Sequence, residues 1–168
     1  EYLSNEFNTR LITASDFIIS NNSYKNIDPI TLNQKGEFYC DKDKLMFLFN
    51  KYTQVYVTQG FIASTIDNKS CILTRSGSDT TASLIASSIN AKRLEIWSDV
   101  DGIYTADPRI VGDAKVIRCI NYDICQELSA WGTKVIHPYC IKPCQNENIP
   151  IYIKNTNNPD SDIFTKIT

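Results

Sequence analysis

The chain has 168 residues, 42% of them apolar and 21% charged, with 17 Lys and Arg against 19 Asp and Glu for a net charge of −2. That length suits one domain, and the apolar share excludes a disordered chain. Near-neutral charge without a basic run argues against nucleic acid as a partner, and no apolar stretch reaches the ~18 residues of a membrane-spanning helix. The expected location is the cytoplasm. The chain opens Glu1-Tyr2-Leu3-Ser4, with no Met, basic start or apolar leader, so a processed or excised piece is expected.

The first forty residues are rich in Asn, Ser, Ile and Tyr, with an Asp28-Pro29 turn signal and Gly36. They read as short strands and loops. Asp43 to Tyr52 carries Leu45, Met46, Leu48 and Phe49 and reads as an amphipathic helix. Gln54 to Thr58 is β-rich and stops before Gly60, a buried strand followed by a loop. Ser64 to Ser70 reads as a polar tip around Asp67-Asn68, and Cys71-Ile72-Leu73 as a short returning strand. Ala82, Leu84, Ile85, Ala86 and Ile89 repeat at helical spacing, with Ser78 or Asp79 as the N-cap. Leu94 to Trp97 is a strand, Tyr122 to Ala130 a helix closed by Gly132, Pro138 to about Asn146 another helix, and Ile149 to Lys154 a strand. This alternation points to an α/β domain with a largely parallel sheet. Ligands of such sheets sit beyond the carboxyl ends of the strands, where the loops after Leu73 and Trp97 are expected.

Six cysteines stand at 40, 71, 119, 125, 140 and 144. Lying in apolar segments without a CxxC pair, they read as buried thiols of a reducing compartment rather than a disulfide framework. Cys140 and Cys144 can share a helix face near His137, the only histidine, which makes at most a thin metal site, and no metal ligands are assigned. No GxSxG elbow and no GxxxxGK[ST] phosphate loop occurs.

Three segments carry chemistry. In Arg75-Ser76-Gly77-Ser78-Asp79 a glycine precedes a helix start, where unsatisfied N–H groups and the positive dipole end favour an anion. Arg75 adds a fork matched to carboxylate or phosphate. The same residues also fit an ordinary capped helix. From Ser98 to Arg109 three aspartates, Gly102, Tyr104 and Arg109 follow a strand. They suit a nucleotide as well as they suit a turn-rich surface loop. Lys134, in the apolar run before His137, either reaches phosphate or snorkels to the surface.

Together Arg-Ser-Gly-Ser-Asp-Thr-Thr-Ala (75–82), Trp-Ser-Asp-Val-Asp-Gly-Ile-Tyr-Thr-Ala-Asp-Pro-Arg (97–109) and Trp-Gly-Thr-Lys-Val-Ile-His-Pro (131–138) resemble aspartate kinase, of the amino acid kinase superfamily. The likeness is strong from Gln59 to Thr168 and weak over the first forty residues. It implies a three-layer αβα sandwich with a mainly parallel sheet, of which residues 1–168 are a partial domain. It implies ATP-dependent phosphorylation of the L-aspartate side chain to 4-phospho-L-aspartate, the first step toward lysine, threonine and methionine. ATP and Mg²⁺ are the implied cofactors, and a homo-oligomer is implied for the full-length protein.

By position, Arg75 would grip the aspartate α-carboxylate, with Gly77 and Ser78 seating the substrate. Asp79 would organise the catalytic basic residues, among them Lys134. Ser98 and Asp99 would contact the nucleotide and Tyr104 would line its base pocket. Arg109, Lys134 and the Val135 backbone would meet the phosphates and neighbouring groups. Glu1 resembles the Glu of the family's Gly-Glu-x-x-Ser segment, which binds the substrate amino group. Ser76 stands where the family has glycine, which costs conformational freedom if that position needs φ > 0. The family's Lys-Phe-Gly-Gly-Thr-Ser loop and its ACT domains do not occur in these residues, so the 168-residue chain by itself is expected to be inactive. Two other readings are a non-catalytic nucleotide- or amino-acid-binding module, and a sister kinase acting on glutamate or uridylate.

Overall fold

Alternating apolar residues make short strands in both halves of the chain. A computed structural model describes residues 3, 6–21, 38–73, 76–130 and 136–168. It divides into two compact units, Glu1–Thr81 and Ala82–Thr168. Asp28-Pro29 and Gly36 lie outside the described residues.

In the first unit β1 (Thr9–Ile12) pairs in parallel with β4 (Val55–Thr58). A second sheet has the order β3 (Phe38–Cys40), β2 (Ile18–Ser20), β5 (Ile62–Thr65), β6 (Ser70–Ile72). There β2 and β5 are parallel and the outer pairings antiparallel. Helix α1 is Lys42–Leu48, shorter than the expected Asp43 to Tyr52. Asp41 caps its start by accepting the Lys44 N–H at 3.1 Å. Its end is set by Asn50, whose Oδ1 accepts the N–H groups of Tyr52 (2.9 Å) and Thr53 (3.0 Å). That local bond competes with the helical ladder. Of the apolar residues read as its inner face, Leu45 is fully buried, whereas Met46 is half-exposed. Its neighbour Phe47 is 89% exposed.

The expected polar tip starts later than Ser64, because Ser64 and Thr65 belong to β5. Thr65 is buried, and its Oγ1 accepts the Lys69 N–H at 3.2 Å. The tip turns at Asn68, whose φ of +57° suits asparagine.

In the second unit the sheet order is β7 (Leu94–Ser98), β9 (Ile151–Asn155), β10 (Thr165–Ile167), β8 (Cys119–Ile120). β7 and β9 run parallel, as do β10 and β8, and β9 and β10 are antiparallel. Helices α3 (Tyr122–Ala130) and α4 (Pro138–Asn146) match the expected spans. Leu94, Ile96, Ile151, Ile153, Ile120 and Ile167 pack from the strands against Cys125, Cys140, Ile141 and Cys144. This is the period-two face that strands bury.

Helix α2 is Gly77–Ser88, and the division between the units falls within it. Both α2 and α4 end on an asparagine in the left-handed region. After α2, Asn90 has φ +50° and Ala91 N–H reaches the Ala86 carbonyl at 2.9 Å. After α4, Asn148 has φ +53° and Ile149 N–H reaches the Cys144 carbonyl at 2.9 Å. These are Schellman closures. They explain why β9 begins at Ile151 rather than Ile149. Ile149 belongs to the helix cap, and Pro150 has no N–H to give the sheet. Among the described residues no helix is long and apolar enough to cross a membrane.

All six cysteines are thiols rather than half-cystines. Cys71, Cys125, Cys140 and Cys144 are buried as expected, but Cys119 is exposed and Cys40 half-buried. Burial pushes the Cys71 and Cys125 thiols up to about 11. His137 caps α4, its Nδ1 accepting the Tyr139 N–H at 3.3 Å.

Candidate active site

In the first unit, two turns meet at the start of α2. The β4–β5 turn holds Gln59, Gly60 and Phe61. Gln59 Oε1 accepts the Ala14 N–H at 3.1 Å, which ties this turn to the end of β1. The Phe61 carbonyl accepts the Leu73 N–H at 2.9 Å. The Phe61 N–H donates to Thr81 Oγ1 at 3.2 Å, and that hydroxyl donates to the Gly77 carbonyl at 2.8 Å. A Cβ on Gly77 would stand 2.4 Å from Phe61 Cδ2 and 2.8 Å from Leu73 Cβ. One on Gly60 would stand 2.8 Å from both Cα and Cβ of Ser78. Glycine is therefore required on both sides of a close backbone approach.

Phe61 (φ +74°) and Ser76 (φ +58°) both sit in the left-handed region, an unfavourable place for a side chain. The position where the resemblance replaces glycine by Ser76 does need positive φ. Strained residues of this kind gather at ligand sites. Helix α2 begins at Gly77 rather than after Ser78 or Asp79, so neither is the N-cap. The Ser76 carbonyl accepts the Thr80 N–H at 3.2 Å, which closes the first turn and places Ser78 and Asp79 within it. Ser78 is exposed and Asp79 half-buried. The first N–H groups of such a helix can hold a carboxylate, and Asp79 is suited to handling cations beside it.

In the second unit, the loop after β7 is fastened from behind. The Ser98 carbonyl accepts the Thr156 N–H at 2.8 Å and its hydroxyl at 2.6 Å. The Asp101 carboxylate accepts Asn155 Nδ2 at 2.8 Å and the Tyr104 hydroxyl at 2.8 Å. The Asn155 bond, then the Tyr104 bond, hold the Asp101 carboxyl below the usual carboxylate range. The same contact pushes the Tyr104 phenol up. A Cβ on Gly102 would stand 2.4 Å from Thr165 Oγ1. That buried hydroxyl accepts the Ile103 N–H at 2.8 Å and donates to the Ile117 carbonyl at 2.7 Å. Arg109 is gripped side-on by Asp107, Nε to Oδ1 at 3.0 Å and Nη2 to Oδ2 at 2.7 Å, which pushes its pKa up. Its side chain is 80% exposed, and the guanidinium has further N–H donors that suit an anion.

The model of the Amino acid kinase family matches residues 3–155. The chain belongs to the amino acid kinase family. Within that family it is 44% identical over 109 residues to a bifunctional aspartokinase/homoserine dehydrogenase of Buchnera aphidicola, covering 65% of this chain and 13% of that protein. It is 42% identical over 103 residues to lysine-sensitive aspartokinase 3 of Escherichia coli, covering 61% of this chain and 23% of that protein. The structure of E. coli aspartokinase III with aspartate and ADP superposes with a TM-score of 0.80 at 29% identity. It covers 99% of this chain and 36% of its own. The chain thus spans well under half the length of these relatives. The α/β class expected from the alternating elements and from the resemblance is the fold of these aspartokinases.

Set against this amino acid kinase fold, the residues assigned by resemblance fall into two groups. Gly77, Ser78 and Asp79 share the first turn of α2. Ser98, Asp99, Tyr104 and Arg109 share the loop after β7. Glu1, Arg75, Lys134 and Val135 lie outside the described residues. Reading the sequence missed Phe61 and Thr81 beside the first group, and Asp101, Asn155 and Thr165 behind the second. No local signal marked Asn155: it closes β9, and only the parallel pairing of β9 with β7 brings it beside the loop after Ser98.

Proposed function

We propose that the whole protein is an aspartokinase, which transfers the γ-phosphoryl group of ATP to the side-chain carboxylate of L-aspartate. One observation carries this reading above the rest: over 99% of its length the chain follows an aspartokinase that holds aspartate and ADP. In this reading residues 1–168 are part of one kinase domain, the protein works in the cytoplasm, and its full-length form is a homo-oligomer.

Phosphoryl transfer asks a protein mainly for positioning and charge neutralisation. The first turn of α2 offers N–H donors and Ser78 to the aspartate, and Arg75 would pair with its α-carboxylate. Asp79 would hold basic side chains where charge gathers in the transition state. The loop after β7 would take the nucleotide, with Tyr104 beside the base and Arg109 and Lys134 toward the phosphates. Tyr104 and Arg109 are each already oriented by an aspartate, which reduces the ordering cost of binding.

Mg²⁺ fits this donor set. It draws its ligands largely from substrate phosphates and water, with one or two carboxylates. No cluster of three His, Cys, Asp or Glu occurs among the described residues, and none is required. Asp99, exposed on the loop after β7, would be such a carboxylate. When bound, the ion would neutralise phosphate charge.

The test uses the whole protein with ATP and Mg²⁺ and three acceptors: L-aspartate, L-glutamate and UMP. Hydroxylamine traps an acyl phosphate as its hydroxamate. Aspartate-dependent hydroxamate with matching ADP release is expected. Turnover with glutamate or UMP but not aspartate, or none at all, would overturn the proposal.

A further inference from the structure

Parallel pairing brings the ends of β7 and β9 together, with Ser98 opposite Asn155. The last residue of β9, Asn155, and the residue after it, Thr156, then do different things. Thr156 fastens the Ser98 carbonyl through its N–H and hydroxyl. Asn155 reaches further, and its Nδ2 meets Asp101 Oδ1 at 2.8 Å. The amide orientation is dictated chemically. Its Oδ1 accepts the Asn157 N–H at 2.9 Å, and an ionised carboxylate can only accept, so the NH₂ faces Asp101. The second oxygen of Asp101 takes the Tyr104 hydroxyl at 2.8 Å. The Tyr104 backbone is held separately, by its bridge to Val116. The hydroxyl bond adds a hold on the side chain itself. Asn155, Asp101 and Tyr104 form one chain of bonds from the end of a strand to the loop that follows Ser98.

We propose that Asn155 is a positioning residue for nucleotide binding: through Asp101 it holds the Tyr104 ring and the 98–104 loop in the form that receives an adenine nucleotide. This rests on the aspartokinase reading. Asn155 is half-buried at a strand end and outside the apolar core. Its side chain takes no part in the backbone pairing of β7 with β9, and Thr156 still holds Ser98 without it. Its removal is therefore directed at the loop rather than at the fold.

The experiment measures ADP binding by calorimetry, and aspartate and ATP KM values, in the whole protein. Asn155→Ala is expected to weaken ADP about tenfold, the lower end of what losing a hydrogen bond to a charged group does. The aspartate KM should stay within about twofold. Asn155→Asp keeps the shape and the acceptor for Asn157 but turns a carboxylate toward Asp101. It should weaken ADP at least as much, and it provides the test if the Ala variant fails to fold. Tyr104→Phe is expected to weaken ADP severalfold, and adding Asn155→Ala to it should cost little more, because both act through Asp101. Full multiplication of the two effects would overturn the proposal, as would a folded Asn155 variant that binds ADP within twofold of wild type. A wild-type protein that does not bind ADP would instead overturn the aspartokinase reading beneath it.

Discussion

Gly77→Ala and Ser76→Gly exchange small residues at neighbouring positions, yet they should act with opposite signs. The added methyl of Gly77→Ala would stand 2.4 Å from Phe61 Cδ2 and 2.8 Å from Leu73 Cβ. Phe61 is 39% exposed and its ring can yield, but Leu73 Cβ is attached directly to a buried backbone. That contact is relieved only if the turn and α2 part by a few tenths of an ångström. Overpacking of this kind costs about 1–3 kcal/mol, against which alanine returns up to about 1 kcal/mol of helix propensity. A net loss of about 1–2 kcal/mol should lower Tm by about 3–6 °C in a domain of this size. Ser76→Gly relieves a left-handed residue, worth about 1–2 kcal/mol, and loses about 0.5–1 kcal/mol to the freer unfolded chain. It should raise Tm by about 1–2 °C. Because a 1 Å misplacement can cost about 10²-fold in rate, the smaller shift forced by Gly77→Ala should lower aspartate-dependent turnover about tenfold. Thermal melting and hydroxamate formation in the whole protein read both effects. An unchanged Tm in Gly77→Ala, or a clear fall in Ser76→Gly, would refute the packing argument.

Asp79→Asn keeps shape and removes charge. Asp79 lies within the first turn of α2, where an acidic group contributes about 0.3–1 kcal/mol through the helix dipole, so Tm should fall by at most a few degrees. If Asp79 organises the basic groups, kcat should nonetheless drop by at least about 10²-fold; near-normal kcat would reduce Asp79 to a structural role. Thiol reactivity follows burial and its pKa consequence. At pH 8 Cys119 should alkylate first, whereas Cys71 and Cys125, with thiols near 11, hold about one thiolate in a thousand and should react only on unfolding. These raised values favour the folded state fully below the unfolded thiol value of about 8.5, and that stability is lost as pH climbs toward 11. Mass-spectrometric mapping of iodoacetamide adducts, with melting curves from pH 8 to 11, checks both statements. Early alkylation of Cys125 would contradict the packing of its core.

Much of the second unit could be read in advance. The spans of α3 and α4 were legible because apolar periodicity, Pro138 at a helix start and polar flanks all agreed. β4 and β7 were legible as β-branched and aromatic runs, but β4 is a partly exposed strand rather than the buried one expected. The residue types of the candidate site could be named from the sequence, since a glycine at a helix start and an aspartate-rich loop after a strand carry their chemistry locally. Other features depended on partners distant in sequence. β5 was hidden because Ser64 and Thr65 look solvent-facing until the Ser64 hydroxyl donates to the Ser15 carbonyl and Thr65 accepts the Lys69 N–H of the tip. β8 and β10 are two- and three-residue strands that exist only through pairing. α1 stopped early because one asparagine side chain outbid the helical ladder. Asp101 looked like a turn residue, and its role appears only when Asn155, 54 positions away, comes within 2.8 Å. Local propensity is written residue by residue and can be read that way. A polar side chain's role depends on which acceptor the folded chain brings to it, and that is settled only when the strands pair.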